Sequence, residues 1–500
     1  MSLAIVYSRA QLGVQALLVS VEVHIANGLP SLSIVGLPEA AVRESRERVR
    51  SALVNSGFEF PPRRITVNLA PADLPKQGGR YDLAIALGIL AASAQVPDAA
   101  LENYEFVAEL ALSGSIRPVH GILPCALAAV ADGRRLICAT DNGAEAALAA
   151  PDTVLVARHL QEVCGQLHNA TALTGVSEPL LHTAARSPDL RDVRGQQHAR
   201  RALEVAAAGS HNLLFLGPPG TGKTLLASRL PGILPPLDED EALETAAVTS
   251  VCHSGFDAAA WKRRPFRCPH HTASAAALVG GGSNPRPGEI SLAHNGVLFL
   301  DELAEFKRHV LEALREPLET GKVTVSRAEH RAEFPARFQL VAAMNPCPCG
   351  HYGDPEGGCR CTPDQIARYR GRISGPLLDR IDLQIDMPRI EWRQLNEAPG
   401  EGSTAVRERV VRARAIQLER GCLNAHMPLQ LLEQVCRLSS GEQGLLKTAM
   451  TRFRLSPRSL HRILKVARTI ADLDTQAHIR VPHLQEAIRY RCLDKTMGNA

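Results

Sequence analysis

The sequence predicts an α/β core, preceded by an α+β domain and followed by a helical carboxyl-terminal part, and three observations carry that reading. The octet Gly217-Pro218-Pro219-Gly220-Thr221-Gly222-Lys223-Thr224 lies between the apolar run Leu213–Leu216 and Leu225-Leu226-Ala227, the order strand, glycine loop, helix. A second apolar run, Val297–Leu300, ends in Asp301-Glu302, as a buried parallel strand would with carboxylates at its carboxyl end. Over residues 1–165, short period-two runs alternate with runs of helical spacing.

Composition bounds the answer before any motif does. A chain of 500 residues, 45% hydrophobic and 22% charged, can bury large cores and has room for about three domains. A net charge of +4 is too small to identify a nucleic-acid partner, although it leaves room for a local basic surface. The first residues carry no basic stretch ahead of their apolar ones, and the longest apolar run, near Leu83–Ala94, is too short for a bilayer. A cytoplasmic protein with no membrane partner is therefore expected. Twelve cysteines, most of them single, fit reduced thiols better than a disulfide framework.

From the start of the chain, Val21–Ile25 and Arg64–Leu69 alternate as strands, Ala40–Val54 has helical spacing with a charged outer face, and Tyr81–Ala94 reads as a buried helix. The turn Ala70-Pro-Ala-Asp-Leu-Pro-Lys-Gln-Gly-Gly79 resembles the equivalent turn of the Lon-protease-like fold. Where that family's K-D-G-P-S-A-G pattern carries its nucleophilic serine, this chain has Arg80, and Leu123 stands where the family's lysine would fall. Serine and lysine act as a pair, one deprotonating the other, so the domain lacks the catalytic residues and is expected to be a scaffold or interaction module. Periodicity fades over residues 166–188, the expected linker.

The octet fills every fixed position of G-x-x-x-x-G-K-[ST], so it reads as a phosphate cradle. Backbone N–H groups wrap the β- and γ-phosphates, Lys223 neutralises the transferred group, and the Thr224 hydroxyl faces magnesium. ATP and magnesium are the implied ligands. Asp301 is expected to hold the magnesium through water and Glu302 to act as general base on the attacking water. The strand Gln339–Met344 ends in Asn345, whose amide can orient that water.

These motifs together resemble the AAA+ ATPases, which implies an AAA+ core over 189–390 and a helical lid over 391–500. The resemblance makes Asn345 a sensor and places adenine near the turn Asp192-Val-Arg-Gly-Gln196. It makes Arg380, in Ser374-Gly-Pro-Leu-Leu-Asp-Arg380-Ile-Asp382, an arginine finger given to a neighbouring subunit, and hence implies a ring. Arg458, at the start of the basic helix Ser459–Asp472, becomes the second sensor. For both arginines a surface salt bridge is the alternative reading.

Two insertions narrow the branch. Residues 253–295 hold Arg264-Pro-Phe-Arg-Cys-Pro-His270-His271-Thr and a glycine-rich tip around Arg286, while Lys322–Phe334 reads as a β-hairpin with a basic tip. Both resemble the branch of magnesium-chelatase motors and MCM helicases, whose hairpins line a pore. The runs Ala207–Leu214, Pro265–Ser274, Pro287–Leu303 and Arg372–Leu383 resemble the magnesium-chelatase-like YifB family, nearly from end to end. Cys268 departs from the small apolar residue expected in its run. The family resemblance implies a homo-hexameric, ATP-dependent motor on single-stranded and branched DNA that promotes branch migration in recombination and natural transformation, alongside recombination proteins. A chelatase-type motor subunit and a protein-remodelling ATPase are the alternatives.

A pore that tracks phosphates needs cations on loops, and Arg286, Lys322, Arg327 and Arg331 are the candidates. Aromatic residues make up only 4% of the chain and none sits at either tip, so little base preference is expected. For His270 and His271 a hydrogen-bonded turn is the expectation, ahead of any metal role. Cys347-Pro-Cys349 and Cys359-Arg-Cys361 flank a glycine-rich loop, a thiolate set suited to a structural zinc, with His351 able to replace one sulfur. Reduced thiols or a redox disulfide remain the alternatives. The arginines of Thr404–Arg420 are expected to form a solvated helix face.

Overall fold

The computed structural model describes residues 2–176, 188–252, 255–282, 285–326, 331–354, 357–390, 392–395, 398–453 and 455–491. Its amino-terminal sheet contains β1 (Ser2–Leu12), β2 (Gln15–Ala26), β3 (Ser31–Val35), β4 (Arg64–Ala70), β5 (Tyr104–Val107), β6 (Arg135–Ala139), β7 (Val154–Ala157) and β8 (Thr174–Gly175). The spatial order is β8-β7-β6-β5-β1-β2-β4-β3, with β5 to β7 parallel and the long β1–β2 hairpin antiparallel. Strand β2 alternates as its sequence predicts, turning Val19, Val21, Val23 and Ile25 inward. Two helices pack here, α1 (Ala40–Asn55) and α2 (Asp82–Ala92). Helix α2 is apolar all round because nearly every residue of it is buried.

The positions that would carry protease chemistry have become core. Arg80 is buried and donates to Gln11 Oε1 at 2.7 Å and to the His120 carbonyl at 2.9 Å, while Leu123 is fully buried on α3 (Ile122–Ala131). The sheet also runs past the expected boundary at residue 165, since β8 pairs with β7. A two-residue edge strand has no periodicity for a sequence reading to detect. Most of the expected linker, residues 177–187, lies outside the described residues.

The second sheet is built from β9 (Leu213–Leu216), β10 (Phe266–Arg267), β11 (Val297–Leu300), β14 (Gln339–Met344) and β15 (Leu383–Asp386). Between β11 and β14 the chain forms a separate hairpin, β12 (Lys322–Ser326) and β13 (Arg331–Pro335). The five strands are parallel in the order β10-β11-β14-β9-β15, so the order reverses around β9 and opens a crevice at the carboxyl ends of β9 and β14. Leu213, Phe215, Phe299 and Val341 face one core, and Leu214, Leu298, Leu300 and Leu340 face the other. Burial on both faces is why these strands read as unbroken apolar runs.

Helices α4 (Gln197–Gly209), α5 (Lys223–Ala227) and α6 (Glu239–Ser250) belong to this layer, and α7 (Ser403–Glu419), α8 (Pro457–Leu473) and α9 (Val481–Arg489) close the chain. Val410, Ile463, Val466 and Leu484 share one hydrophobic core with Leu213 and Phe215, with the carboxyl-terminal helices α7 and α8 packed on α4. The expected solvated arginine face on α7 is not what forms. Arg407 donates to the Gly232 carbonyl, Arg409 pairs with Glu204 and Glu401, Arg420 pairs with Asp472, and the buried Arg414 donates to the Ala207 carbonyl at 2.9 Å. For Arg414 the cause is the end of α4, whose last carbonyls lack intrahelical partners and are met from α7 instead. Arg412 alone of the five is exposed with no side-chain partner among the described residues.

The two domains touch between α3 and α6, at the β1–β2 turn, and beside Arg286. The Gly121 N–H donates to the Ser250 carbonyl at 2.8 Å, joining the start of α3 to the end of α6. The β1–β2 turn lies on the β12–β13 hairpin, where Leu12 and Val14 pack against the second core and a methyl group on Gly13 would come within 3.1 Å of the Glu333 carbonyl oxygen. Among the described residues no helix is long and apolar enough to cross a membrane.

Gln417 is fully buried, donates to the Ala208 carbonyl at 3.1 Å and accepts from the Asn424 N–H at 2.9 Å. Replacing it by leucine keeps the volume and strands both backbone groups. We expect Gln417→Leu to cost about 1–3 kcal/mol for each group, read as a lower urea midpoint with an unchanged slope.

Candidate active site

The glycine octet sits in the crevice at the end of β9. Gly220 and Gly222 have φ of 80° and 85°, which a side chain disfavours, and a methyl group on Gly217 would fall 2.3 Å from the Met387 carbonyl oxygen, just past β15. Thr221 is buried, with its hydroxyl donating to the Pro218 carbonyl at 3.0 Å. Beside the loop, Gln196 donates to the Pro388 carbonyl at 2.8 Å and to the Thr221 carbonyl at 3.4 Å, tying the Val-Arg-Gly-Gln turn to the cradle. Lys223 opens α5 and folds back over the loop, donating to the carbonyls of Gly217 at 2.7 Å and Pro218 at 2.8 Å and to Asn345 Oδ1 at 3.2 Å. Burial pushes its ammonium down to about 8, against the pull of Asp301 and Glu302.

The second motif meets the first. The Thr224 hydroxyl donates to Asp301 Oδ2 at 2.6 Å, so two hard oxygen donors stand together where a magnesium ion bridging phosphates would need them. Glu302 follows in a left-handed backbone conformation, φ 52°, uncommon for a residue with a side chain, and Asp301 Oδ1 accepts its N–H at 2.9 Å. Glu302 Oε2 lies 3.0 Å from His271 Nδ1, so the insertion between α6 and β11 holds the expected base. His270 is in the expected hydrogen-bonded turn, 2.8 Å from the Thr272 hydroxyl, with its ring 4.1 Å from that of His271. The sequence singled out the His pair without its target, because nothing in a linear spacing says that a residue past β10 reaches the end of β11.

The arginines stand differently from their expected roles. Arg380 is buried, bonded to Glu319 and, at 2.5 Å, to the Pro376 carbonyl, so as a finger it would first have to exchange these partners. Arg458 is exposed in the first turn of α8, with no side-chain partner among the described residues. The coupling that sequence reading missed is one turn on, where Arg462 pairs with the buried Asp382, which also faces His211 at 3.4 Å and accepts from the Asn212 N–H at 3.1 Å. Burial raises the Asp382 pKa, but Arg462 and His211 more than offset it and hold the carboxyl below its ordinary range. This network joins α8 to the sheet.

Of the four candidate pore cations, Arg331 stands exposed at the far end of the hairpin opposite Ser326, and Arg327 lies outside the described residues. Lys322 is at the hairpin base, paired with Glu333 at 2.6 Å, not at the tip. Arg286 pairs with Gly281 in a short ribbon and lines, with Arg80 and His120, a cavity of about 510 Å³ against the amino-terminal domain. The sulfurs of Cys347, Cys349, Cys359 and Cys361 converge within 4.8 Å of one another, while His351 turns to Asp354.

Comparison with known proteins settles the family. The chain is 54% identical to the competence protein ComM of Haemophilus influenzae over 501 residues, covering 99% of this chain and 98% of the relative. It belongs to the magnesium-chelatase-like ComM/YifB family of AAA+ ATPases. The uncharacterized protein YifB of Salmonella typhimurium is 51% identical, again over 99% of this chain and 98% of its own. Residues 189–395 match the family described as magnesium chelatase, subunit ChlI; residues 21–142 match subunit ChlI of Mg-chelatase; and residues 400–491 match the ChlI C-terminal family. Lon protease 2 of Bacillus subtilis is 27% identical over 37% of this chain, so the Lon-like likeness seen in the sequence recurs.

Two outcomes test this geometry. Gly217→Ala drives a methyl group into the Met387 carbonyl and, at about 1–3 kcal/mol for such overpacking, should weaken nucleotide binding at least about tenfold in equilibrium titrations. His271→Ala releases Glu302 from a half-exposed hydrogen-bonded pair worth about 0.2–1 kcal/mol and should raise basal ATP hydrolysis up to about fivefold in steady-state assays. An unchanged or lower rate would mean that His271 positions the base instead of restraining it.

Proposed function

We propose that this protein is a magnesium-dependent ATPase that assembles as a homo-hexameric ring in the cytoplasm, translocates on DNA and drives branch migration during recombination and natural transformation. The observation that carries the reading is the convergence of Lys223, Asn345, Thr224, Asp301 and Glu302 in one crevice, in a chain 54% identical to a competence protein over nearly its whole length. Eleven free cysteines among the described residues suit a reducing compartment.

In this reading the γ-phosphate draws the Lys223 ammonium away from the loop carbonyls, and Asn345 turns its amide to the attacking water. Thr224 and Asp301 hold magnesium, which when bound supplies positive charge to the phosphate oxygens. Glu302 leaves His271 and takes the water's proton. A neighbouring subunit's copy of Arg380, released from Glu319, meets the charge spreading over the phosphoryl oxygens. Arg458 answers the nucleotide from the helical lid, where Arg462 and Asp382 already join α8 to the sheet. Arg331 at the hairpin end meets the DNA backbone, Arg327 outside the described residues is expected to join it, Lys322 and Arg286 stand farther back, and single-stranded and branched DNA bind with little sequence preference. The amino-terminal domain, with Arg80 and Leu123 buried in its core, serves as a docking platform for recombination proteins.

Steady-state ATPase assays with and without single-stranded and branched DNA test this, with Lys223→Ala and Glu302→Gln as inactive controls. We expect DNA to stimulate hydrolysis several-fold, the effect to fall steeply with salt, and a labelled branch to move only with ATP. An assembled, hydrolysing ring that responds to no DNA structure would instead favour a chelatase-type motor or a protein-remodelling ATPase.

A further inference from the structure

The loop between Asn345 and the helix Pro363–Arg370 performs none of the chemistry above, yet it contains the one group of three or more converging His, Cys, Asp or Glu side chains found among the described residues. Cys347 Sγ lies 3.3 Å from Cys349 Sγ and 3.7 Å from Cys359 Sγ, Cys349 and Cys359 are 3.6 Å apart, and Cys361 completes a set whose sulfurs all fall within 4.8 Å. A tetrahedron with metal–sulfur bonds of about 2.3 Å has edges of about 3.8 Å. Disulfides would draw the sulfurs into two pairs at about 2.05 Å, and no such pair is present. Sulfurs this close surround one ion and leave no room for an iron–sulfur cluster.

The surroundings fit a closed thiolate site. The Tyr352 N–H points at Cys347 Sγ at 3.3 Å, the kind of outer contact that steadies a ligating sulfur. Gly350, at φ 84°, makes the turn after the first pair and backs onto the phosphate loop, where a methyl group would lie 2.9 Å from Pro219 Cδ. His351 is engaged elsewhere, its Nδ1 3.5 Å from Asp354 and from Arg389, which leaves the four sulfurs as the ligand set. Four soft thiolates select zinc over magnesium or calcium.

We propose that Cys347, Cys349, Cys359 and Cys361 bind one zinc ion in tetrahedral thiolate coordination, and that the ion braces the loop against Pro219 so that Asn345 stays on Lys223. Cys347 lies two residues beyond Asn345, and Arg370 donates to the intervening Pro346 carbonyl at 3.2 Å, so the ion would tie strand end, phosphate loop and following helix together. Binding converts the thiols to thiolates with release of their protons, and no position is left for a substrate.

The test begins with the full chain purified under reducing conditions without chelator. Elemental analysis should give one zinc per chain, and exchange with cobalt should give the absorption of a tetrahedral tetrathiolate ion. Zinc well below one equivalent, with no such cobalt spectrum, overturns the site. The Cys359→Ser/Cys361→Ser variant should lose the zinc and bind nucleotide about tenfold more weakly, and retention of one equivalent overturns the ligand assignment. Loss of zinc with unchanged nucleotide affinity overturns the bracing role. The cobalt spectrum of the unsubstituted protein decides the ligands even where the variant fails to fold, and it needs neither hydrolysis nor DNA, so its outcome is separate from that of the motor.

Discussion

A buried ammonium must find partners, and the way Lys223 finds them sets the arrangement of the crevice. Two partners are carbonyls of its own loop and the third is Asn345 on a different strand. That third contact exists because β9 and β14 are parallel neighbours in a register that sets Leu216 beside Met344. On the other side, Gly217 leaves just enough room for the carbonyl of Met387. The phosphate loop is thus held between two strand ends, and a shift of β14 would take Asn345 away from the charge.

The carboxylates show how the insertions belong to the same site. Asp301 meets Thr224, while Glu302, turned by its left-handed backbone, meets His271. The chain that carries His271 continues through the glycine-rich ribbon of Arg286, which reaches the amino-terminal domain. The expected base is therefore attached to a segment that also meets the amino-terminal domain.

Much of this was legible in the sequence because phosphate chemistry fixes short spacings. The octet, the Asp-Glu pair and Asn345 each lie at the end of an apolar run, and buried parallel strands leave that signature whatever surrounds them. What was not legible depends on partners distant in the chain. The arginines of α7 have the spacing of a solvated face, and only the fold reveals the open carbonyls of α4 beneath them. Lys322 and Arg286 look like tip cations until register places one at a hairpin base and the other beside a neighbouring domain. Arg380 reads as a free finger, and Glu319, far back in the chain, holds it. Spacing locates backbone; it does not say which side chains meet.

The contact at Gly13 has a mechanical meaning. Between the β1–β2 turn and the hairpin strand β13 the glycine backbone meets the Glu333 carbonyl and the side chains of Ala332 and Phe334, with Leu12 and Val14 packed beside it. Such a joint has almost no slack. A displacement of the hairpin along its own axis would therefore be passed to the β1–β2 turn and into the eight-stranded sheet behind it. The amino-terminal domain is in this way coupled mechanically to the hairpin.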